Sequence, residues 1–383
     1  MSIELLIELS RLYGSNPEYV LAGGGNTSWK DDDALFVKGS GFSLADASAE
    51  SFVKMDRKAL AVIWEKKYPQ SSDEREREVL ADMMAARKAG EEKKRPSVEA
   101  LLHDIIPFSF VVHLHPALVN GLCCSRNGEY AVNEIFGEDA LWIPSTNPGY
   151  ILSCLVRTAM ADYYEKYRRN APVILLQNHG VFVGANTADD IKMLYDKLMS
   201  KIGALIKRKP DFSGETRINA GNTSGNQIDE IIRALAELAR PAGAAQETGS
   251  SAYMRSGEIM SFIKDRESFY PVSSAFTPDH IVYAGSDPLF IEAGSIDVIR
   301  NEWDKHAKKT GRNPKIIAVQ NLGVFSAAAS EKAADFALEL FKDTVKVAVY
   351  AESFGGPLFM TADKIDFINN WEVERFRSVV STK

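Results

Sequence analysis

The chain has 383 residues, 45% of them hydrophobic, and a formal net charge of −7. That length exceeds what one compact core usually holds, so two domains are expected. The acidic balance argues against a dedicated nucleic-acid or anionic-membrane binder, which needs a basic surface, but leaves room for one small anion held by local donors.

Residues 3–13 repeat apolar side chains at helical spacing and stop at Gly14. The stretch carries acidic residues and lacks the basic start and unbroken apolar core of a signal peptide. No apolar run approaches the ~18 residues that span a bilayer. The three cysteines, Cys123, Cys124 and Cys154, form no C-x-x-C pair and are odd in number. These features predict a cytoplasmic protein without a disulfide framework.

"LAGGGNTSWK" (21–30) reads as a glycine turn leading into a strand, and "ALFVKGSG" (34–41) as a short strand ending in a second glycine turn. Residues 46–95 are charged and mostly helical in pattern, a solvated face given no chemical role. "RPSVEALLHDII" (95–106) reads as a helix that starts beside Pro96 and Ser97. "FSFVVHLHP" (108–116) and "PVILLQN" (172–178) read as buried strands, and "TADDIKMLYDKLMSKIGALI" (187–206) as a long amphipathic helix. Strands alternating with helices give α/β or α+β.

The polar, glycine-bearing stretch that follows is the best linker candidate. Its "GNTS" at 221–224 echoes 25–28 at a different offset and is taken as coincidence. Beyond it, "PKIIAVQNLGVFSAAASEKAADFALELFKDTV" (314–345) repeats the earlier strand, turn and helix, so that "QNHGVF" at 177–182 returns as "QNLGVF" at 320–325. One repeat is too few for a solenoid and points to a duplicated domain with a diverged second copy. The expected organisation is a first domain over 1–210, a linker over 211–226 and a second domain over 227–383.

Six histidines are present, and three form a pattern. His113 and His115, at i and i+2 in a strand, point to the same face. His179 ends a second buried strand, just before Gly180. Three imidazoles from adjacent strands can hold a metal and leave a position open for substrate, and imidazole suits zinc. His103, His280 and His306 lie outside the pattern and read as structural or surface residues. Leu322 stands at the place of His179 in the second copy, which is therefore expected to hold no metal.

"GGGNTS", "VKGSG", "PSVEALLH", "VVHLHP" and "LLQNHGVFVG", in that order, resemble the class II aldolase/adducin family over about residues 20–200. Within it the likeness is greatest to the aldolase half of bifunctional rhamnulose-1-phosphate aldolase/alcohol dehydrogenases, with the dehydrogenase half absent. The resemblance implies an α/β fold of three layers (α/β/α) with a mainly antiparallel central sheet, followed here by a degenerate aldolase-like domain.

The same resemblance implies a zinc or other divalent metal on His113, His115 and His179, and Glu99 as catalytic acid/base. It places the substrate phosphate at Gly25, Asn26, Ser40, Gly41 and Ser97. The implied activity is cleavage of a deoxy-ketose 1-phosphate to dihydroxyacetone phosphate and lactaldehyde by a homo-oligomer. Alternatives on the same scaffold are a sugar-phosphate 4-epimerase or dehydratase, or a non-catalytic interaction protein like the adducins. Two positions depart from the family. Val98 stands where many members have a second serine. Ser145 stands where several aldolases place a proton-donating tyrosine, with Tyr150 nearby in sequence.

Overall fold

The structure is a computed structural model that describes residues 2–219, 227–240, 249–374 and 376. The "GNTS" echo and the end of the expected linker, residues 220–226, lie outside the described residues. The chain divides into two compact units. One gathers the chain up to Cys123, then Asn127–Leu205 and a short segment from Asn370. The other gathers Cys124–Arg126 and Ile206–Asn369.

The first unit holds seven strands: β1 (Asn26–Lys30), β2 (Ala34–Lys38), β3 (Phe52–Asp56), β4 (Phe110–Leu114), β5 (Ala140–Ile143), β6 (Val173–Leu176) and β7 (Gly180–Ala185). They form one sheet in the order β3-β2-β1-β4-β7-β6-β5, antiparallel throughout except for β5 beside β6. This is the class II aldolase-like α/β fold that the sequence implies. On one face the helices Ser2–Gly14 and Ala188–Gly203 cover the sheet, with Tyr13, Tyr19 and Tyr195 in mutual ring contact and the Tyr195 hydroxyl donating to Val112 O at 3.0 Å. On the other face Leu102, Leu152 and Val156, from Ala100–Ile105 and Tyr150–Tyr167, pack on Val111, Ile174 and Phe182 of the strands. Every residue of β4 is buried, as expected for a strand covered on both faces.

The second unit holds β8 (Thr216–Ile218), β9 (Tyr253–Arg255), β10 (Leu289–Ile291), β11 (Ile316–Val319) and β12 (Gly323–Ser326), in the order β10-β11-β12-β9-β8. The β10/β11 pair is parallel and the other pairs are antiparallel. Strand for strand this repeats β5-β6-β7-β4-β1, polarity included. The helix Ile296–Thr310 joins β10 to β11 as Tyr150–Tyr167 joins β5 to β6, and Glu331–Ala351 follows β12 as Ala188–Gly203 follows β7. Part of the stretch read as a linker thus becomes the edge strand β8, too short for its pattern to stand out.

The repeated hexapeptide is a tight turn and the start of a second strand, directly after the strand that precedes it, where sequence pattern indicated one strand before a helix. Asn178 and Asn321 sit at the same point of the two turns, with φ of 57° and 56°. Asparagine tolerates this left-handed conformation better than most residues. The next residue donates back in both copies, His179 N to Leu176 O at 3.2 Å and Leu322 N to Val319 O at 3.0 Å. A Cβ on Gly180 would come within 2.6 Å of His115 Cδ2 and Leu114 O, and one on Gly323 within 2.3 Å of the Tyr253 ring. The turn keeps Asn and Gly for backbone reasons, uses the glutamine side chain to tie a neighbouring backbone segment in each copy, and leaves only x free.

Candidate metal centre

β4 pairs with β7 so that His113 lies opposite Phe182. Side-chain alternation along β4 puts His113 on the same face as Val111, and His115 follows two residues on. The turn between β6 and β7 delivers His179 beside them. Among the described residues these three are the one cluster of histidine, cysteine and carboxylate side chains that could hold a metal, and their ligand atoms all lie within 4.8 Å of one another.

The donor set fits a divalent transition ion. His113 is fully buried and stacks on Phe182 at a centroid distance of 4.0 Å, which fixes the ring plane. Its Nδ1–H donates to Val181 O at 3.1 Å, so in the neutral ring Nε2 carries the lone pair. That Nε2 lies 2.8 Å from His115 Nε2. Glu99 Oε1 is buried without a hydrogen-bond donor and stands 3.4 Å from His113 Nε2 and 3.5 Å from His179 Nε2. Nitrogen donors and a carboxylate oxygen gathered at one place form a set that could hold a divalent cation. Imidazole donors favour zinc and its neighbours over magnesium or calcium, which take oxygen.

Glu99 immediately precedes the helix Ala100–Ile105, whose opening is set by the Ser97 hydroxyl accepting from Glu99 N at 3.2 Å. Its second oxygen, Oε2, accepts from Asn26 Nδ2 at 2.6 Å. Asn26 Oδ1 meets His103 Nε2, and His103 Nδ1 meets Ser28 Oγ at 2.6 Å. His103 is completely buried, and this burial, reinforced by the charges of His113, Lys30 and Lys38, holds its pKa well below the ordinary value.

The residues expected to take phosphate lie on three segments that the fold brings together. Gly25 and Gly41 have φ of 65° and 91°, and a Cβ on Gly25 would stand 2.9 Å from His113 O. Lys38 Nζ donates to Gly25 O at 2.9 Å. Gly39 bridges to Pro96, Ser97 N donates to Lys38 O at 3.2 Å, and Ser40 Oγ donates to Pro96 O at 3.1 Å. The Ser40 hydroxyl is thus turned onto the neighbouring segment, whereas Ser97 keeps its own proton to donate. Sequence reasoning gave no role to Lys38 or to His103, which the fold places on Gly25 and Asn26. The signal for His103 was its place four residues after Glu99, one helical turn on.

Ser145 N donates to the Gln177 side chain at 2.9 Å, which ties this segment to the turn bearing His179. The Tyr150 ring stacks on Trp64 at 6.0 Å and meets Tyr68 edge-on at 5.0 Å. Burial, then the neighbouring Cys154, push its hydroxyl up to about 12. Among the described residues no helix is long and apolar enough to cross a membrane.

The second unit carries different side chains at the same register. Phe325 lies opposite Tyr253 as Phe182 lies opposite His113, so Tyr253, Arg255 and Leu322 hold the places of His113, His115 and His179. Tyr253 OH donates to Leu322 O at 2.8 Å. Ile218, opposite Tyr253, holds the place of Asn26, opposite His113.

Residues 4–199 match the Class II Aldolase and Adducin N-terminal domain family. The chain belongs to the class II aldolase/adducin family. It is similar to the uncharacterized oxidoreductase YuxG of Bacillus subtilis (strain 168), at 23% identity over 421 residues, covering 98% of this chain and 58% of that relative. Among solved structures it is similar to the N-terminal class II aldolase domain of a conserved protein from Thermoplasma acidophilum, at 25% identity, TM-score 0.45, covering 53% of this chain and 93% of that one. It is also similar to an L-fuculose-1-phosphate aldolase from Thermus thermophilus, at 16% identity, TM-score 0.35, covering 52% of this chain and 93% of that one.

Proposed function

We propose that this chain is a metal-dependent aldolase that cleaves a deoxy-ketose 1-phosphate of the rhamnulose 1-phosphate type to dihydroxyacetone phosphate and lactaldehyde. One observation carries the reading: the buried, unfilled Glu99 Oε1 faces His113 and His179 at 3.4 and 3.5 Å. An interaction module has no use for a carboxylate held beside three inward-facing imidazoles.

His113, His115 and His179 would hold zinc or a similar ion. When bound, that ion supplies Lewis acidity to the ketose carbonyl and the neighbouring hydroxyl oxygen. The chain's own residues do the rest. Glu99 delivers the proton to C3 once the C3–C4 bond has broken, through Oε1, while the C4 hydroxyl proton leaves to water as the aldehyde forms. Asn26 Nδ2 holds Oε2 with one N–H and has a second to offer the substrate. Gly25 and Gly41 open their backbone to the phosphate, with Ser97 and Asn26 as side-chain donors, Ser40 joining them only by turning its hydroxyl away from Pro96 O, and Lys38 beneath Gly25.

A 4-epimerase or dehydratase on the same scaffold is the second reading. It is favoured by Ser145 at the expected tyrosine position and by the engagement of Tyr150 with Trp64 and Tyr68. The same reasoning makes the second unit metal-free, since Tyr253, Arg255 and Leu322 replace its ligands; the family resemblance and the cysteine pattern add the reading of a cytoplasmic homo-oligomer.

The test is a coupled assay for dihydroxyacetone phosphate release from rhamnulose 1-phosphate and fuculose 1-phosphate by the zinc-loaded protein, with a chelator control. Chelator-sensitive release supports the aldolase and selects the sugar. No release from a protein holding one metal per chain rejects it in favour of the epimerase or dehydratase.

A further inference from the structure

β1 is a central strand, flanked by β2 and β4. Val, Ile or Leu would ordinarily fill its covered face. Instead Asn26, Ser28 and Lys30, alternate residues of one face, are all buried, and all three converge on His103. Ser28 Oγ meets the ring at Nδ1, Asn26 Oδ1 meets it at Nε2, and Lys30 Nζ donates to the His103 carbonyl at 2.6 Å. Burying three polar side chains and an imidazole is favourable only when each is paired, so the arrangement specifies one geometry.

The hydrogen positions follow from the one partner whose role is fixed. The Asn26 atom on Glu99 Oε2 is the amide nitrogen, which can only donate. Asn26 therefore turns its carbonyl oxygen to His103, whose Nε2 must carry the ring proton. Nδ1 is then bare and accepts from the Ser28 hydroxyl. The relay runs Ser28 to His103 to Asn26 to Glu99, each donating to the next.

The second unit supplies a control within the same chain. Ile218 occupies the register position of Asn26 and packs with the apolar cluster around Ile231, Leu235 and Tyr253. The architecture needs no polar group at this position.

We propose that His103 is a positioning residue: as the Nε2–H tautomer it locks the Asn26 amide, which pins Glu99 Oε2 and leaves Oε1 as the single oxygen directed at the substrate proton. The proposal rests on the acid/base role given to Glu99 above and adds the residues that orient it. Without the His103 donor, the Asn26 amide is free to turn over and present its oxygen to the carboxylate, which would push Glu99 out of position.

The experiment follows deuterium incorporation at C3 of dihydroxyacetone phosphate in D2O, a half-reaction that reads only the Glu99 proton step. Wild type, Glu99→Gln, His103→Leu and His103→Gln are compared as zinc-loaded full-length chains, with bound zinc measured in each. The position of the His103 ring proton in the wild type is read by long-range 1H–15N correlation.

His103→Leu is expected to slow exchange ~100-fold, the effect of misplacing a catalytic group by about 1 Å, with zinc content unchanged. His103→Gln, whose amide N–H reaches the same partner, is expected to recover to within ~10-fold of wild type. Exchange at the wild-type rate in zinc-loaded His103→Leu overturns the proposal, as does a ring proton on Nδ1, or a His103→Gln no better than the leucine variant. If the wild type exchanges no deuterium, the aldolase reading falls. The ring tautomer then decides the relay alone, as it also does if His103→Leu fails to fold.

Discussion

The turns at 177–180 and 320–323 share their backbone and differ in what they carry. Both put asparagine in the left-handed region, and both receive a strand-end carbonyl in the same way, Gln177 N to Ile143 O and Gln320 N to Ile291 O. One presents an imidazole beside two others, the other a leucine whose carbonyl takes the Tyr253 hydroxyl. Around the first, His113, His115 and Asn26 are polar. Around the second, Tyr253, Arg255 and Ile218 stand at the same registers. The two turns separate what the architecture requires, namely Asn, Gly and strand order, from what the chemistry requires, which is a few side chains on one face.

The most direct challenge to that separation is to make the first turn like the second. His179→Ala leaves two imidazoles and should release the metal. Activity should fall by about 10³-fold or more, since a Lewis acid is worth several kcal/mol of transition-state stabilisation. Metal analysis beside the aldolase assay checks this, and activity surviving with no metal bound would refute the site. Glu99→Gln should separate the two functions, keeping one metal per chain while turnover drops about 10²- to 10⁴-fold, the usual worth of a general acid/base. Turnover at the wild-type rate would remove Glu99 from the mechanism.

The second copy offers the reciprocal test. Leu322 packs, partly buried, against the cluster of Ile231, Trp303 and Phe325. Leu322→Ala should lower stability by about 2 kcal/mol, the low end of such truncations, and leave metal stoichiometry and kcat unchanged. Denaturant unfolding together with metal analysis reads both, and a lost metal would show that the second unit is not the inert copy.

Much of this contrast can be read from sequence because it rests on short-range rules. The same-face pair His113 and His115 follows from strand alternation, and the glycine turns at Gly25 and Gly41 from backbone freedom. What escaped reading depends on partners distant in the chain. β8 has three residues, too few for a pattern, and lies in a stretch that reads as a linker. β7 was merged into its turn because the φ of Asn178 is not written in its identity. His103 looked inert because its meaning lies in Asn26, 77 residues earlier, and in Ser28. Asn26 was read as a phosphate ligand, and its hold on Glu99 could be seen only once β1 lay beside that helix.

The last predicted change concerns the polar face that sets β1 apart, and it is a matter of pH. The carbonyl of His103 belongs to the last turn of its helix, and the residue four positions on is Pro107, which has no N–H to offer. Lys30 Nζ fills that place at 2.6 Å. Burial pushes the Lys30 pKa down to about 7, opposed by the charge of Asp104 and aided by that of Arg57.

An unfolded chain, with its lysine near the ordinary value of 10.5, binds more protons than the folded one between pH 7 and 10.5. Stability from this group therefore rises with pH across that window, is complete above it and is lost as pH falls toward 7. Lys30→Met keeps the apolar stem and removes the titration, but strands the carbonyl at a cost of about 1–3 kcal/mol. The variant should be clearly weaker than wild type at pH 9.5. The gap should close by on the order of 3 kcal/mol, through zero if the stranded carbonyl costs less than that, as the pH is lowered to 7. Urea midpoints of the two proteins measured in parallel cancel every other titrating group, including the buried Lys315 of the second unit. A gap that stays constant across the window would mean that Lys30 keeps its proton in the folded state and holds the helix end as an ammonium.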